Sequence, residues 1–257
     1  MKKIEFDELQ MYFGEPYLID CENAQGTITI YEPTIGDIIK LGQNKFFATL
    51  NVFITNPTAN RLLLWNAGID WNTISDFQLF CTLYKNIEPE VSSLLFGDLD
   101  WSKFELYSKK YTDSEEQKEE VVLANIEQNI EINEEVYEYI HQYLQKMFNM
   151  KPEVELTDDK LLKDWWIRKD TIALQQKIKK GDKEEYSLKS MVSACVNHPG
   201  FKYKRNELRE VGVCEFYDSV QRLQIYEQAT ACMKGLYSGF VDAKKIKPEA
   251  YNFMKNI

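Results

Sequence analysis

The sequence predicts a mainly α protein of the α+β type: a helical bundle with a small N-terminal β-hairpin and a short central antiparallel β patch. Three observations predict it. Apolar residues recur at spacings near three and four over Thr34 to Trp101 and over much of 133–237. Short β-branched runs bracket a polar turn near the N-terminus, and alternating runs return at 101–132. With 44% hydrophobic and 13% aromatic residues in 257, the chain can fill one large core or two modest ones.

Pro16 to Asp20 (PYLID) and Gly26 to Tyr31 (GTITIY), separated by CENAQ, read as the hairpin. Thr34 is a good N-cap, and Asp37 complements the positive end of the helix it opens. Ile38, Leu41, Phe46, Leu50 and Phe53 then share a face until Asn56-Pro57 stops the run. Pro57 suits the first turn of a second helix through Leu62 to Trp65, ended by Gly68. Asn72 or Thr73 begins a third, with Ile74, Phe77, Phe80, Cys81 and Tyr84. A short fourth, Val91 to Phe96, closes at Gly97. Joints this short make a compact bundle, in which Trp65 and Phe80 are expected to be buried.

Trp101 to Tyr107, Glu120 to Ala124 and Ile126 to Ile132 read as the strands of the central patch, with TDSEEQKEE at 112–120 as a solvated loop. Asn133 caps the next helix, whose apolar face is Val136, Tyr139, Ile140, Tyr143, Leu144 and Met147. His141 lies beside that face and reads as a half-buried or surface residue rather than a metal ligand. Thr157 to Lys180 is a long helix stopped by Gly181. Ser187 to Asn197 is a shorter one, and Val213 to Tyr237 is a long one with a broad apolar stripe. The chain then turns through Pro248 into a short amphipathic helix. These elements divide as 1–110, the hairpin and short-helix bundle, and 111–257, the β patch and long helices, or run on as one continuous domain.

The net charge of −10 is unevenly spread. Residues 160–257 hold 19 Lys and Arg against 12 Asp and Glu; residues 1–159 hold 12 against 29. Either the two halves attract each other within one molecule, or the second half offers a basic surface to an acidic partner. The acidic total argues against phosphate-neutralising nucleic-acid binding, and Glu207 and Glu210 dilute the basic run FKYKRNELR. No membrane partner is expected, since no uninterrupted apolar run reaches the length of a bilayer span. MKKIEFDELQMYFGE lacks the apolar run of a signal peptide. Five cysteines, Cys21, Cys81, Cys195, Cys214 and Cys232, show no CxxC pair. They are expected to be free thiols in a reducing compartment.

Chemistry is not legible. A Ser-His-Asp or Cys-His unit would need His141 or His198, and neither stands near a nucleophile motif. The chain has no GxSxG, GxxxxGK[ST], GxGxxG or HExxH. Asp98 and Asp100 lack the spacing of a calcium loop. The expectation is a non-enzymatic protein with no catalytic, metal or cofactor residues and no cofactor.

PTIGDII, FITNPTANRLLLWNAGIDWNTISDFQLFC, SSLLFGDLDW and MKGLYSGFVDAKKI resemble a group of cytoplasmic proteins from tailed bacteriophages of low-GC Gram-positive hosts, the tail assembly chaperones and tail morphogenesis proteins. The similarity covers most of the chain. The resemblance implies a protein of the host cytoplasm that binds another tail component, such as the tape-measure protein, before assembly. The alternative is a structural component of the virion tail or baseplate. Self-association fits either.

The expected partner surface lies in the basic half. Adjacent residues on a helix diverge by roughly 100°, so Trp165 and Trp166 point to different faces. One can be core while the other meets a partner. Lys177, Lys179 and Lys180 crowd the end of the same helix. Phe201, Lys202, Tyr203, Lys204 and Arg205 interleave aromatics with cations nearby in sequence. Exposed aromatics dominate binding energy, while rim cations mainly speed encounter.

Overall fold

The computed structural model describes residues 4–21, 26–113, 116–181, 188–239, 242 and 246–255, the side chains of 111–119 excepted. Within them the chain is mainly helical, with a two-stranded and a three-stranded antiparallel sheet. The expected Ser187 start of a helix lies outside the described residues.

Helix α1 (Glu8–Tyr12) precedes the hairpin of β1 (Tyr17–Asp20) and β2 (Thr27–Ile30), in which Tyr17 stands opposite Ile30 and Asp20 opposite Thr27. Ile28 and Ile30 point inward, and the Tyr31 N–H donates to the Leu95 carbonyl at 2.8 Å, tying the hairpin to the bundle.

Helix α2 (Ile35–Leu41) starts in a capping box. The Thr34 hydroxyl accepts from the Asp37 N–H, and the Asp37 carboxylate accepts from the Thr34 N–H at 3.0 Å. The single run expected from Thr34 to Phe53 is broken at Gly42. That residue takes φ +91°, which a side chain disfavours, and a new helix, α3 (Gln43–Ile54), starts directly after it. Pro57 lies in a turn ahead of α4 (Arg61–Asn66) rather than inside its first turn. The third helix begins later than expected. A 3₁₀ turn covers Trp71–Thr73, and α5 (Asp76–Leu83) starts at a Ser75–Gln78 capping box, which outcompetes the weaker start at Asn72. Helix α6 (Pro89–Phe96) follows as expected.

The central sheet has the order β3 (Glu105–Asp113), β4 (Glu116–Asn125), β5 (Ile130–Ile132). Three expectations are corrected here. Trp101 heads a 3₁₀ turn, Trp101–Lys103, because the Asp100 carboxylate caps it. The acidic stretch 112–120 is largely ladder, not loop: β3 and β4 pair from Glu105↔Ala124 out to Asp113↔Glu116, with Lys109 opposite Glu120. A cation opposite an anion removes the repulsion that an acidic strand would otherwise meet. Ile126 is exposed in a turn, so the third strand is only Ile130–Ile132.

Helix α7 (Glu134–Met147) is capped by Asn133 and buries Val136, Tyr137, Ile140, Tyr143, Leu144 and Met147. His141 is fully buried rather than half-exposed, because α3 and α5 cover its side of α7. Its Nδ1 lies 2.7 Å from the Phe53 carbonyl and its Nε2 2.8 Å from Gln145 Nε2. Helices α8 (Lys160–Lys180), α9 (Leu188–Asn197) and α10 (Val213–Tyr237) complete the described helices. The expected terminal helix is only a 3₁₀ turn, Pro248–Ala250.

The main core gathers Phe46, Leu50 and Phe53 of α3, Phe80 of α5, Phe96 of α6, Trp101, Tyr137 and Ile140 of α7, and Phe216 of α10. A second, smaller core joins Leu64, Trp71, Leu79 and Trp166. Trp65 is 38% exposed, against expectation. In α4 the inward positions go to Arg61 and Leu64, and the next residue along turns toward solvent. All five cysteines are free, with Cys21 and Cys195 buried.

Candidate functional site

Helix α8 is long and sparsely buried. Of its 21 residues only Lys163 and Trp166 are buried. Its approach is fixed by the extended segment before it, held on the α4 side by side chains that bond its backbone. The Asn56 amide donates to the Glu153 carbonyl at 3.0 Å, the Trp71 indole to the Glu155 carbonyl at 3.1 Å, and the Asn72 amide to the Thr157 carbonyl at 2.6 Å. Each bond satisfies a backbone group that an extended segment cannot satisfy itself.

The N-terminal half of α8 is then clamped. Arg61, the first residue of α4, is buried and grips Asp170 bidentately, Nε to Oδ2 at 2.5 Å and Nη2 to Oδ1 at 3.0 Å; Nη1 also meets Glu155. Hydrogen bonding to Asp170 pushes the guanidinium pKa up further still. The guanidinium carbon lies 5.3 Å over the Trp166 ring, which packs 6.2 Å from Trp71. Lys163 pairs with Asp70, and that hydrogen bond lowers the Asp70 pKa.

Trp166, 9% exposed, is therefore the core member of the tryptophan pair, and Trp165, 55% exposed, is the outward one. Trp165 shares its face of α8 with Leu161, 80% exposed, and Ile172, 54% exposed, since positions four and seven apart align on a helix. Lys169 Nζ lies 5.5 Å from the Trp165 ring. The result is an exposed apolar stripe with cations beside it.

The inward face of the C-terminal half carries Ala173, Gln176, Lys177 and Lys180, one helical face continuing from Trp166 and Asp170. This half does not close on the body. Between it and α3, the end of α7, α9 and α10 lies a groove of about 1610 Å³. Lys179 and Lys180 are exposed at the helix end, and Gly181, φ +68°, caps it in the left-handed region.

The ten expected partner residues do not form one patch. Phe201 and Tyr203 pack against the main core; Lys202 donates to the Glu215 carboxylate of α10 at 3.1 Å, and the Tyr203 hydroxyl also donates to that carboxylate. Glu215 stands about 200° around α10 from Tyr217, which lines the groove, so the 201–205 segment occupies the far side of α10 from α8. Lys204 and Arg205 are exposed there. Sequence reasoning missed Arg61, Asp170, Glu155 and Trp71, which place α8. The available signal was an arginine standing immediately before the apolar run LLLW.

Among the described residues, no helix is long and apolar enough to cross a membrane, and no group of three or more His, Cys, Asp and Glu is placed to hold a metal ion. The fold and surface define a mainly helical α+β protein with a long, sparsely buried helix. Residues 179–257, from the end of α8 through α9 and α10, match a family described as the YomV second domain, whose name is phage-derived and hints at a phage protein. The match spans under a third of the chain, and its segment enters the main core through Leu188, Leu208, Val213 and Phe216. No curated protein and no solved structure matches the chain.

Proposed function

We propose that this chain is a non-enzymatic bacteriophage tail assembly protein, chaperone-like in action, that binds another tail component such as the tape-measure protein during morphogenesis in the host cytoplasm. The observation that carries the reading is α8: a helix of 21 residues that buries two and presents Leu161, Trp165 and Ile172 to solvent in one stripe. Apolar stripes with a central aromatic are the surfaces that meet partners. The phage-derived family name at 179–257 supports the phage setting, and the resemblance of the N-terminal and central motifs to tail assembly proteins supports the tail.

The test is a pull-down of the full chain from phage-infected cells, with mass spectrometry of what is retained and a parallel search for the chain in purified particles. A tail protein captured from lysate, with the chain absent from particles, is the expected result. Presence in particles at fixed stoichiometry assigns the chain to the virion tail instead. Capture of no tail component by the parent chain overturns the assembly reading.

A further inference from the structure

The outward face of α8 carries both signs of charge as well as its apolar stripe. At about 100° per residue, Leu161, Trp165, Arg168 and Ile172 fall within about 60° of one another around the helix, and Asp164 flanks them on the Arg168 side. All five are exposed, and neither Asp164 nor Arg168 enters an ion pair among the described residues. The charge is also polarised along the axis. Asp158 stands exposed just ahead of the helix, and Lys179 stands exposed near its end, in line with Leu161.

This face is complementary to itself. Two copies of α8 laid antiparallel about a two-fold axis midway between Trp166 and Ile167 bring Leu161 level with Ile172 of the second copy, and Trp165 level with Arg168 of the second copy. A two-fold of this kind sets like flanks of the two helices side by side. Asp164 then comes within about 1.5 Å, along the axis, of Arg168 from the second copy, and the contact is made twice. Each indole covers apolar residues opposite and meets a guanidinium, a pairing favourable in itself. Lys179 lies toward the end at which the second copy carries Asp158. A parallel pair would set Asp164 against Asp164 and Arg168 against Arg168. An acidic helix from another protein would answer Arg168 and Lys179 but bring carboxylates against Asp164 and Asp158. An antiparallel second copy answers both signs at once.

We propose that the outer face of α8 docks antiparallel against the same face of a second copy of this chain, as a two-fold dimer. One helix pair is a small interface beside the roughly 1,600 Å² of a standard complex, so the two copies exchange readily. The stripe is also the proposed seat of a tail component. On that reading, on which this step rests, the second copy covers Trp165 until the tail component displaces it.

The test is sedimentation velocity of the full chain over a concentration series reaching the high micromolar range. The parent should pass from monomer to dimer. Asp164→Arg and Arg168→Asp, each at an exposed position, should keep the parent's melting curve and weaken dimerisation by about tenfold or more, because each sets like charges together. Mixing the two single variants should restore dimers, now with one copy of each, since arginines then face aspartates. The double variant Asp164→Arg/Arg168→Asp should dimerise by itself. A parallel pair keeps like charges facing in the parent and in every variant alone, so it gives no loss in the singles and no recovery in the double. A parent that stays monomeric, single variants that dimerise as the parent does, or a mixture and a double variant that both stay monomeric each overturn the proposal. The assembly reading fails separately. A monomeric parent that captures a tail component from infected cells leaves that reading standing and removes the dimer. A parent that dimerises with this charge pattern but captures no tail component keeps the dimer and removes that reading.

Discussion

The Glu32 carboxylate caps helix α10 from 182 positions away in sequence: its Oε1 accepts from the Cys214 backbone N–H at 2.7 Å. Gly212, the N-cap residue, has no side-chain oxygen to offer, and the segment just before α2 supplies one. The same junction is laced by the backbone, Val213 N–H to the Pro33 carbonyl and Ile35 N–H to the Val211 carbonyl, each at 3.0 Å. A Cβ at Gly212 would meet the Glu32 carboxyl group, so a side chain here would require that carboxyl to shift from its cap position. Burial pushes the Glu32 pKa up from 4.5 to about 7, although the Cys214 N–H bond pulls the other way.

That relation sets a pH dependence. The folded state holds the Glu32 proton more tightly than the unfolded state, so its contribution to stability is complete below pH 4.5 and is lost as pH rises through about 7. Glu32→Gln keeps an acceptor for Cys214 and removes the charge. Urea unfolding at pH 5 and pH 8 should show the variant losing less stability than the parent between the two. An unchanged difference would mean that Glu32 does not titrate in this window.

Arg61 should be the clamp whose loss frees α8. Arg61→Met leaves Asp170 and Glu155 partly buried without their cation, at a cost of about 2 kcal/mol, less than a fully buried pair because both carboxylates keep some solvent. Hydrogen exchange should rise first in the amides of 160–170. Uniform loss of protection across all helices would instead make Arg61 a general stability residue.

Phe80 and Trp65 separate what periodicity can and cannot say about the bundle. Phe80 stacks on Tyr137 at 4.6 Å and meets Phe53 and Trp101 at 5.6 Å each, so Phe80→Ala should cost roughly 3–5 kcal/mol. Trp65 has mainly an edge contact with Trp71 at 5.9 Å, so Trp65→Ala should cost about 1 kcal/mol. Equal losses in chemical denaturation would contradict the burial difference.

What the sequence made legible was local. The hairpin, the Thr34 and Asn133 caps and the span Val213–Tyr237 follow from residues within a few positions of one another, and the structure has them. Gly42 breaks a run that periodicity alone carries through, because its backbone angle depends on where α3 packs. Arg61 with Asp170, Glu32 with Cys214, and the groove between α3, α8 and α10 join residues a hundred or more positions apart, and no window of sequence records such meetings. Helix geometry separated Trp165 from Trp166 but could not choose between them. Trp71 and Arg61 made the choice.

That choice gives the sharpest functional prediction. Trp165 contributes little to the fold, since over half its surface is exposed and Lys169 Nζ lies over its ring at 5.5 Å. Trp165→Ala should leave the melting temperature within a few degrees of the parent while weakening capture of the proposed tail component by about 2 kcal/mol or more, as truncation of a central aromatic anchor does. Trp166→Ala should do the reverse. It opens a cavity against Trp71 and Leu79 and removes the ring beneath Arg61, so it should cost roughly 3 kcal/mol of stability. Binding by the fraction that remains folded should fall only as far as α8 loosens. The pair of variants, read by thermal melts and quantitative pull-down, distinguishes a binding stripe from a merely exposed one. Full capture by Trp165→Ala would remove the outer face of α8 as the partner surface, because Leu161 and Ile172 alone offer no aromatic anchor.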